Sequence, residues 1–556
     1  MSKPGKRNGG RVLADQLRIH GATRVFCVPG ESYLSLLDAF YDVPEVALTV
    51  CRHESGAAMM ADAYGKLTGQ PGICLVTRGP GATNASAGVH IAYQDSTPLI
   101  LLIGQAARDT IDREAFQEID FRRMYGQLAK WVGQIDDARR IPEYMSHAFY
   151  TATAGRQGPV VLALPEDMLS DAIEIGNAEP YRRVEAHPGI ADLARLRELL
   201  ARCSRPLMIV GGSGWTAQAC ADIQAFAEAN SLPVGAAFRC QHLFDNTHSN
   251  YAGDIGIGIN PELAQRVRDT DLLLVVGARL GEMTTSGYTL VDIPKPKQVL
   301  VHVYPGAEEL GRVYQPTLPI NASIPAFAAG VRALEPVDSG AWQGWTSEAH
   351  AVYLANVVPQ HGPGDLQLAE VVLWLREHLP ADAIIANGAG NYTAWVHRFY
   401  QYRTFRSQLA PTSGSMGYGL PAAVAAKALH PERTVVCFAG DGCFLMTGQE
   451  LATAVQYRLN VIILVVNNNM YGTIRMHQER EFPGRVIGTE LRNPDFVALA
   501  KAYGAHGERV ERTTDFPAAF ERAVSAGIPA LVELRIDPEA ITPRTTLSAI
   551  RNRARS

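Results

Sequence analysis

Residues 434–473 read TVVCFAGDGCFLMTGQELATAVQYRLNVIILVVNNNMYGT, and this stretch decides the fold. Its first six residues, 434–439, form an apolar run rich in Val and Phe that stops at Gly440-Asp441-Gly442, the pattern of a buried strand feeding a tight loop. A helix follows: Thr447 with Glu450 three residues on matches a capping box, and Leu451, Ala454 and Val455 share one helical face. A second apolar run, 461–466, ends in Asn467-Asn468-Asn469. Strand, helix and strand make a βαβ unit, and parallel strands bring both carboxyl ends to one edge of the sheet. Asp441 and Asn468 are therefore expected to converge, and a carboxylate with an amide oxygen beside a glycine loop suits a hard cation bound to phosphate oxygens.

Working outward, the same alternation recurs. Apolar runs at 25–28, 47–50, 73–77 and 99–103 alternate with helical patterns, as do those at 272–276 and 299–303 and finally at 384–386 and 530–536. The expected class is α/β, with three doubly wound parallel-sheet domains at residues 1–185, 186–340 and 355–556. Ligands of such sheets sit beyond the carboxyl ends of the strands. In the first third those ends carry Pro29-Gly30-Glu31-Ser32, Arg52-His53-Glu54 and Arg78-Gly79-Pro80-Gly81. Glu54 opens an alanine-rich helix, where an acid is also expected simply to complement the helix dipole. Residues 336–366, rich in Gly, Pro, Ser and His, read as a linker without periodicity.

Composition narrows the function. The chain has 556 residues, 47% hydrophobic and 19% charged, with a formal charge of −5. Lys and Arg are spread out, so no basic field for nucleic acid exists. No apolar run reaches membrane-spanning length. Its eight cysteines are scattered through apolar segments without a CxxC pair, which fits reduced thiols of a cytoplasmic protein. Residues 1–10, MSKPGKRNGG, and 551–556 read as loose ends.

The combination of GDG, an intervening helix and NN resembles the cofactor signature of thiamine diphosphate (ThDP) enzymes. Residues 52–69, RHESGAAMMADAYGKLTG, and 72–105, GICLVTRGPGATNASAGVHIAYQDSTPLILLIGQ, resemble the pyrimidine-binding domain of their acetolactate synthase and pyruvate oxidase branch. The resemblance runs from about residue 21 to 536. It implies ThDP and Mg²⁺ as cofactors, with Asp441, Asn468 and the main-chain carbonyl of Met470 on the metal. It also implies that Glu54 bonds the pyrimidine N1′ and so promotes loss of the thiazolium C2 proton. By the same resemblance Ala389, Gly390, Asn391 and Tyr392 form a diphosphate loop. Met416, after Gly414, props the cofactor into a bent form, and Gly440, Gly442, Cys443 and Tyr471 flank the metal motif. Ala115-Phe116-Gln117-Glu118 is similar to an AFQE segment whose Phe and Gln line the reaction pocket.

Departures matter as much. The second domain resembles one that binds FAD in these synthases, and the resemblance leaves room for FAD here. Against it, the segment matching HIDIDPAEIG reads His302-Val303-Tyr304-Pro305-Gly306, and the second Arg of GARFDDR is Met283. The pocket Lys of an IPKD segment is Glu166, and a specificity Trp is replaced by His477. Residues 28–38, VPGESYLSLLD, are instead similar to the VPGD segment of pyruvate decarboxylase, placing Gly30 and Glu31 at a catalytic position, while that enzyme's Glu beyond the metal Asn is Ile474.

What the resemblance implies is decarboxylation of a 2-oxo acid with transfer of the acyl unit. A simple decarboxylase and a ThDP-binding protein without turnover stand as alternatives. It further implies a homodimer or homotetramer with active sites at the subunit interface, since the pyrimidine domain of one subunit faces the diphosphate domain of another.

Overall fold

Runs of Val, Ile and Leu without polar alternation become the strands of three six-stranded parallel sheets, buried on both faces as such composition requires. The computed structural model describes residues 6–555. Helix α1 (Gly9–Ile19) precedes β1 (Arg24–Cys27), β2 (Ala47–Val50), α2 (Glu54–Thr68), β3 (Gly72–Val76), α3 (Pro80–Asp95), β4 (Leu99–Gln105), β5 (Trp131–Gln134) and β6 (Pro159–Pro165). The first sheet runs β2-β1-β3-β4-β6-β5. The second comprises β7 (Pro206–Val210), β8 (Val234–Ala237), β9 (Tyr251–Ile255), β10 (Leu272–Val276), β11 (Val299–Tyr304) and β12 (Leu318–Asn321), in the order β9-β8-β7-β10-β11-β12. After α4 (Gln343–Asn356) comes the third, built from β13 (Ile384–Asn387), β14 (Gln408–Leu409), β15 (Val435–Gly440), β16 (Ile462–Asn467), β17 (His506–Val510) and β18 (Ala530–Arg535). Its order is β14-β13-β15-β16-β18-β17. Helices α5 (Asp441–Phe444) and α6 (Glu450–Gln456) join β15 to β16, α7 (Gly472–Glu481) follows β16, and α8 (Leu547–Arg555) ends the chain.

The described residues cluster into two compact units. One holds those up to Val184 with Val424–Leu429 and Thr447–Tyr457; the other holds Glu185–Ala423, His430–Met446 and those from Arg458 onward. Helix α6 thus belongs to the first unit although its flanking strands belong to the second.

Three expectations need correction. The residues after the first five do not form a loose tail: Arg7–Asn8 pairs antiparallel with Ala172–Ile173, Arg7 bonds Asp15 at 2.5 Å, and Gly9 and Gly10 open α1. A Cβ on Gly10 would lie 2.3 Å from the Ser35 carbonyl oxygen, so glycine serves close packing there and not flexibility. Residues 1–5 of that tail lie outside the described residues. At the other end, Arg551 lies in α8 and bonds the buried Glu479 through Nε at 2.7 Å, so this end is tied down at least to that point. The expected linker, third, contains the fourteen-residue α4, whose Ala349 and Tyr353, with Trp342 just before it, sit in the core of the second sheet's domain.

Candidate functional site

In the first unit, β2 ends one turn before Glu54, and His53 caps α2 by accepting the Ser55 amide on its ring at 3.2 Å. Glu54 is half-buried and accepts the Asn84 side-chain amide at 3.0 Å. A Cβ on Gly81 would lie 3.4 Å from the Glu54 carboxylate and 2.8 Å from Thr77, so small residues keep this carboxylate approachable. The turn before Glu54 is held from below. Glu450, fully buried, accepts the main-chain amides of His53 at 2.9 Å and Arg52 at 3.1 Å, and the Thr453 hydroxyl at 2.6 Å. Burial pushes the Glu450 carboxyl above the usual range, against these donors. This replaces the expected capping box: α6 begins at Glu450 itself, whose carboxylate serves the turn before α2 and the Thr453 hydroxyl of its own first turn.

Three further loops of the first sheet gather at strand ends. Gly30 lies so close to Thr77 that a Cβ would sit 2.5 Å from it. Glu31 begins a short turn with its side chain 66% exposed and bonds Arg78 at 2.8 Å. Gly79 takes φ +45°, a conformation only glycine adopts easily, with Gln117 packed against it. Phe116, beside it, is 70% exposed.

In the second unit, strand register aligns the carboxyl ends of β13, β15 and β16: Asn387 pairs with Phe438, and Gly440 with Val466. Asp441 follows directly, with its carboxylate accepting the Gly442 amide at 2.9 Å and the Asn493 side-chain amide at 2.8 Å. Main-chain amides of Asn469 and Met470 also face it, so the loop after β16 meets Asp441 through these two amides. Burial nevertheless raises the Asp441 pKa. Among the described residues no Lys, Arg or His forms an ion pair with it. The Asn468 side-chain oxygen accepts the Met470 amide at 3.3 Å.

Glycine supplies the remaining space. A Cβ on Gly442 would lie 2.6 Å from the Tyr471 ring, and one on Gly440 3.2 Å from that of Tyr392. Cys443 ties two loops together, receiving the Tyr392 hydroxyl at 3.4 Å and the Gly417 amide at 3.2 Å. Ala389 and Gly390 continue the turn after β13, and Gly390 has φ +146°. Asn391 donates to the Ile541 carbonyl at 3.0 Å and accepts the Thr473 hydroxyl at 2.9 Å, which fastens that loop to the chain's C-terminal segment. Met416 is half-buried against the core, after an exposed Gly414 at φ +69°. On α7, Ile474 is exposed and His477 bonds Arg480.

Sequence reasoning missed Asn493, which bridges Asp441, Asn467 and Asn469 with one amide. It lies 52 positions beyond Asp441 in a loop without a motif. It also missed Glu450, although the expected capping box had singled out that residue, and Asn84, which stood inside the quoted RGPGATN run.

Three α/β domains with glycine and polar loops gathered at the carboxyl edges of parallel sheets define the class, a doubly wound protein built to hold a small ligand at strand ends. Comparison with known families is specific. Residues 7–124 match the N-terminal TPP binding domain of thiamine pyrophosphate enzymes, 193–331 their central domain and 388–534 their C-terminal TPP binding domain. The chain is 30% identical over 541 residues to the acetolactate synthase isozyme 2 large subunit of Escherichia coli (strain K12), covering 95% of this chain and 96% of that one. It is 30% identical to a probable acetolactate synthase large subunit of Methanocaldococcus jannaschii, over 96% and 93% of the two chains. A Corynebacterium glutamicum acetolactate synthase large subunit is 29% identical, over 94% and 85%. This chain belongs to the thiamine pyrophosphate enzyme family, on its acetolactate synthase-like side. Among the described residues no helix is long and apolar enough to cross a membrane.

Proposed function

We propose that the protein catalyses ThDP- and Mg²⁺-dependent decarboxylation of a small 2-oxo acid and transfers the resulting acyl unit, as an acetolactate synthase-like carboligase. One observation carries the cofactor half: Asp441 is a buried carboxylate ringed by amide donors with no basic partner among the described residues, which suits a divalent cation. Asp441, Asn468 and the Met470 carbonyl would hold Mg²⁺. Residues 389–392, Gly440 and Gly442 would cradle the diphosphate, with Cys443 and Tyr471 supporting these turns and Met416 under the bent cofactor. When bound, ThDP supplies the electron sink that lets a 2-oxo acid lose CO₂. Glu54 holds and moves a proton at the pyrimidine N1′, and Asn84 fixes its carboxylate. Gly30, Glu31 and Gln117 face the substrate, with Phe116, Ile474 and His477 around the pocket.

A complete site is assembled from two copies, Glu54 of one acting on the cofactor held by the other, in a homodimer or homotetramer. We keep the three-domain division at 1–185, 186–340 and 355–556 as part of this reading, and assign α4 to the central domain because Ala349 and Tyr353 pack in its core. Two contacts support reading that domain as one without FAD: Trp215 is buried at its first glycine turn and bonds the Gly211 carbonyl at 2.8 Å, and His302 bonds the Ala278 carbonyl at 2.9 Å. A cytoplasmic setting fits the free thiols at all eight cysteines.

Glu31 favours a second reading, simple decarboxylation, because its carboxylate is exposed and the resemblance to the VPGD segment puts it at that enzyme's catalytic acid. Incubation with Mg²⁺, ThDP and 2-oxo acids of graded size, read by NMR, separates the two. Coupled acyloin or acetolactate-type products support the carboligase, aldehyde alone supports the decarboxylase, and absence of CO₂ from every acid refutes both in favour of a binding role.

A further inference from the structure

Arg78 lies two residues past β3, inside a motif whose glycines are accounted for but whose guanidinium is not. Its side chain is 7% exposed. Three of its nitrogens point to three different loops: Nε donates to the Phe116 carbonyl at 3.0 Å, one terminal nitrogen to Glu31 at 2.8 Å, and the other to Glu166 at 3.2 Å. Its Cζ also lies 5.6 Å from the centre of the Phe116 ring. The acceptors follow β1, β4 and β6, so one planar group ties together four strand-end loops of the same sheet. Both carboxylates are themselves well exposed, Glu31 at 66% and Glu166 at 41%, so the buried guanidinium is the fixed member and the acids are held by it. Gly79, the next residue, has Gln117 packed where a Cβ would stand, 2.8 Å from its Cβ, which links the Arg78 turn to the second pocket residue as well.

We propose that Arg78 is a positioning residue that fixes Glu31 and the 116–117 segment toward the substrate, with Glu166 as the counter-anchor. Lysine cannot replace it: an ammonium is a compact point charge without the flat fork that reaches three loops at once. The glutamate at position 166, where the family resemblance has a lysine, is thereby explained as the second acid arm of Arg78. The proposal rests on the reading of Glu31 as a substrate-side acid.

A double-mutant cycle on the full-length protein loaded with Mg²⁺ and ThDP tests it, using Arg78→Lys, Glu31→Gln and the double variant with the 2-oxo acid that is turned over. Glu31→Gln is expected to lower kcat about 100-fold or more. Arg78→Lys is expected to lower kcat about 10- to 100-fold with KM nearly unchanged, the effect of a misplaced reacting group. In the double variant the loss stays within about 3-fold of Glu31→Gln alone, because the two act through one group. Multiplying losses, or wild-type kcat in Arg78→Lys beside a crippled Glu31→Gln, overturns the proposal alone. Wild-type kcat in Glu31→Gln removes the reading of Glu31 and this proposal with it. Amide hydrogen exchange of residues 112–118 in the protein without cofactor gives an activity-independent readout. Faster exchange confined to that segment and the Glu31 turn in Arg78→Lys supports the tether, and unchanged exchange there refutes it.

Discussion

Replacing Glu450 with alanine probes how the first unit holds the turn that presents Glu54. In the native protein this carboxylate is fully buried and accepts two consecutive main-chain amides, Arg52 and His53, plus the Thr453 hydroxyl. Hydrogen bonds to a charged group contribute about 1.5–3 kcal/mol each, and a buried donor left unpaired costs about 1–3 kcal/mol. With water entering the gap to satisfy part of the loss, Glu450→Ala should destabilise by about 3–5 kcal/mol. Glu450→Gln keeps one oxygen for the amides, while its NH₂ group donates to the Thr453 hydroxyl, so about 1–2 kcal/mol is expected. Gly56 sharpens the same point, since a Cβ there would lie 2.5 Å from the Glu450 carboxylate; Gly56→Ala should cost about 1–3 kcal/mol by overpacking. The assay is the denaturant midpoint of the three variants beside the wild type. A Glu450→Ala midpoint equal to wild type would refute the reasoning, because it would mean that the amides before Glu54 need no acceptor.

Three other outcomes follow from the geometry. Asp441→Ala should abolish the Mg²⁺-dependent part of ThDP binding, seen by calorimetry as equal affinity with Mg²⁺ or with chelator; wild-type affinity would remove Asp441 from the metal site. Asn493→Ala, which removes the amide bonded to Asp441 at 2.8 Å, should weaken the metal by about 10- to 100-fold, measured by Mg²⁺ titration at fixed ThDP. Asp254 on β9 is half-buried, but its Oδ1 is shut from solvent with no hydrogen-bond partner among the described residues, and burial lifts its pKa to about 8. A raised carboxyl pKa contributes stability that is complete below the unfolded value near 4 and is lost as pH rises through about 8. The Tm of wild type relative to Asp254→Asn should therefore fall by roughly 3 °C or more between pH 5 and pH 9, and a constant difference would count against the buried carboxyl.

The strands were legible because parallel sheets bury both faces, which leaves continuous apolar runs such as Ile462–Asn467 that differ from the sequence expectation by one residue. Asp441, Asn468 and Glu54 stood out for a related reason: each lies just past such a run, beside glycines or a helix start. What stayed hidden came from contacts between segments remote in sequence. Nothing local distinguishes Glu450 as an acceptor for amides nearly 400 positions away, and the Thr447 to Glu450 spacing imitates a capping box. Asn493 carries no motif at all. Helix α4 was obscured because glycines and polar residues, among them Gly344 and Ser347, surround the few positions that pack inward, Thr346, Ala349 and Tyr353. At the N-terminus paired glycines imitate flexibility, yet both are buried under neighbouring backbone.

The central claim is that Glu54 switches on a cofactor anchored at Asp441 and Asn468. Its most direct test is steady-state turnover of the active 2-oxo acid by Glu54→Gln, measured together with ThDP affinity. The predicted result is a kcat lower by about 100-fold or more with an intact fold and ThDP still bound. A variant with wild-type kcat would contradict the account.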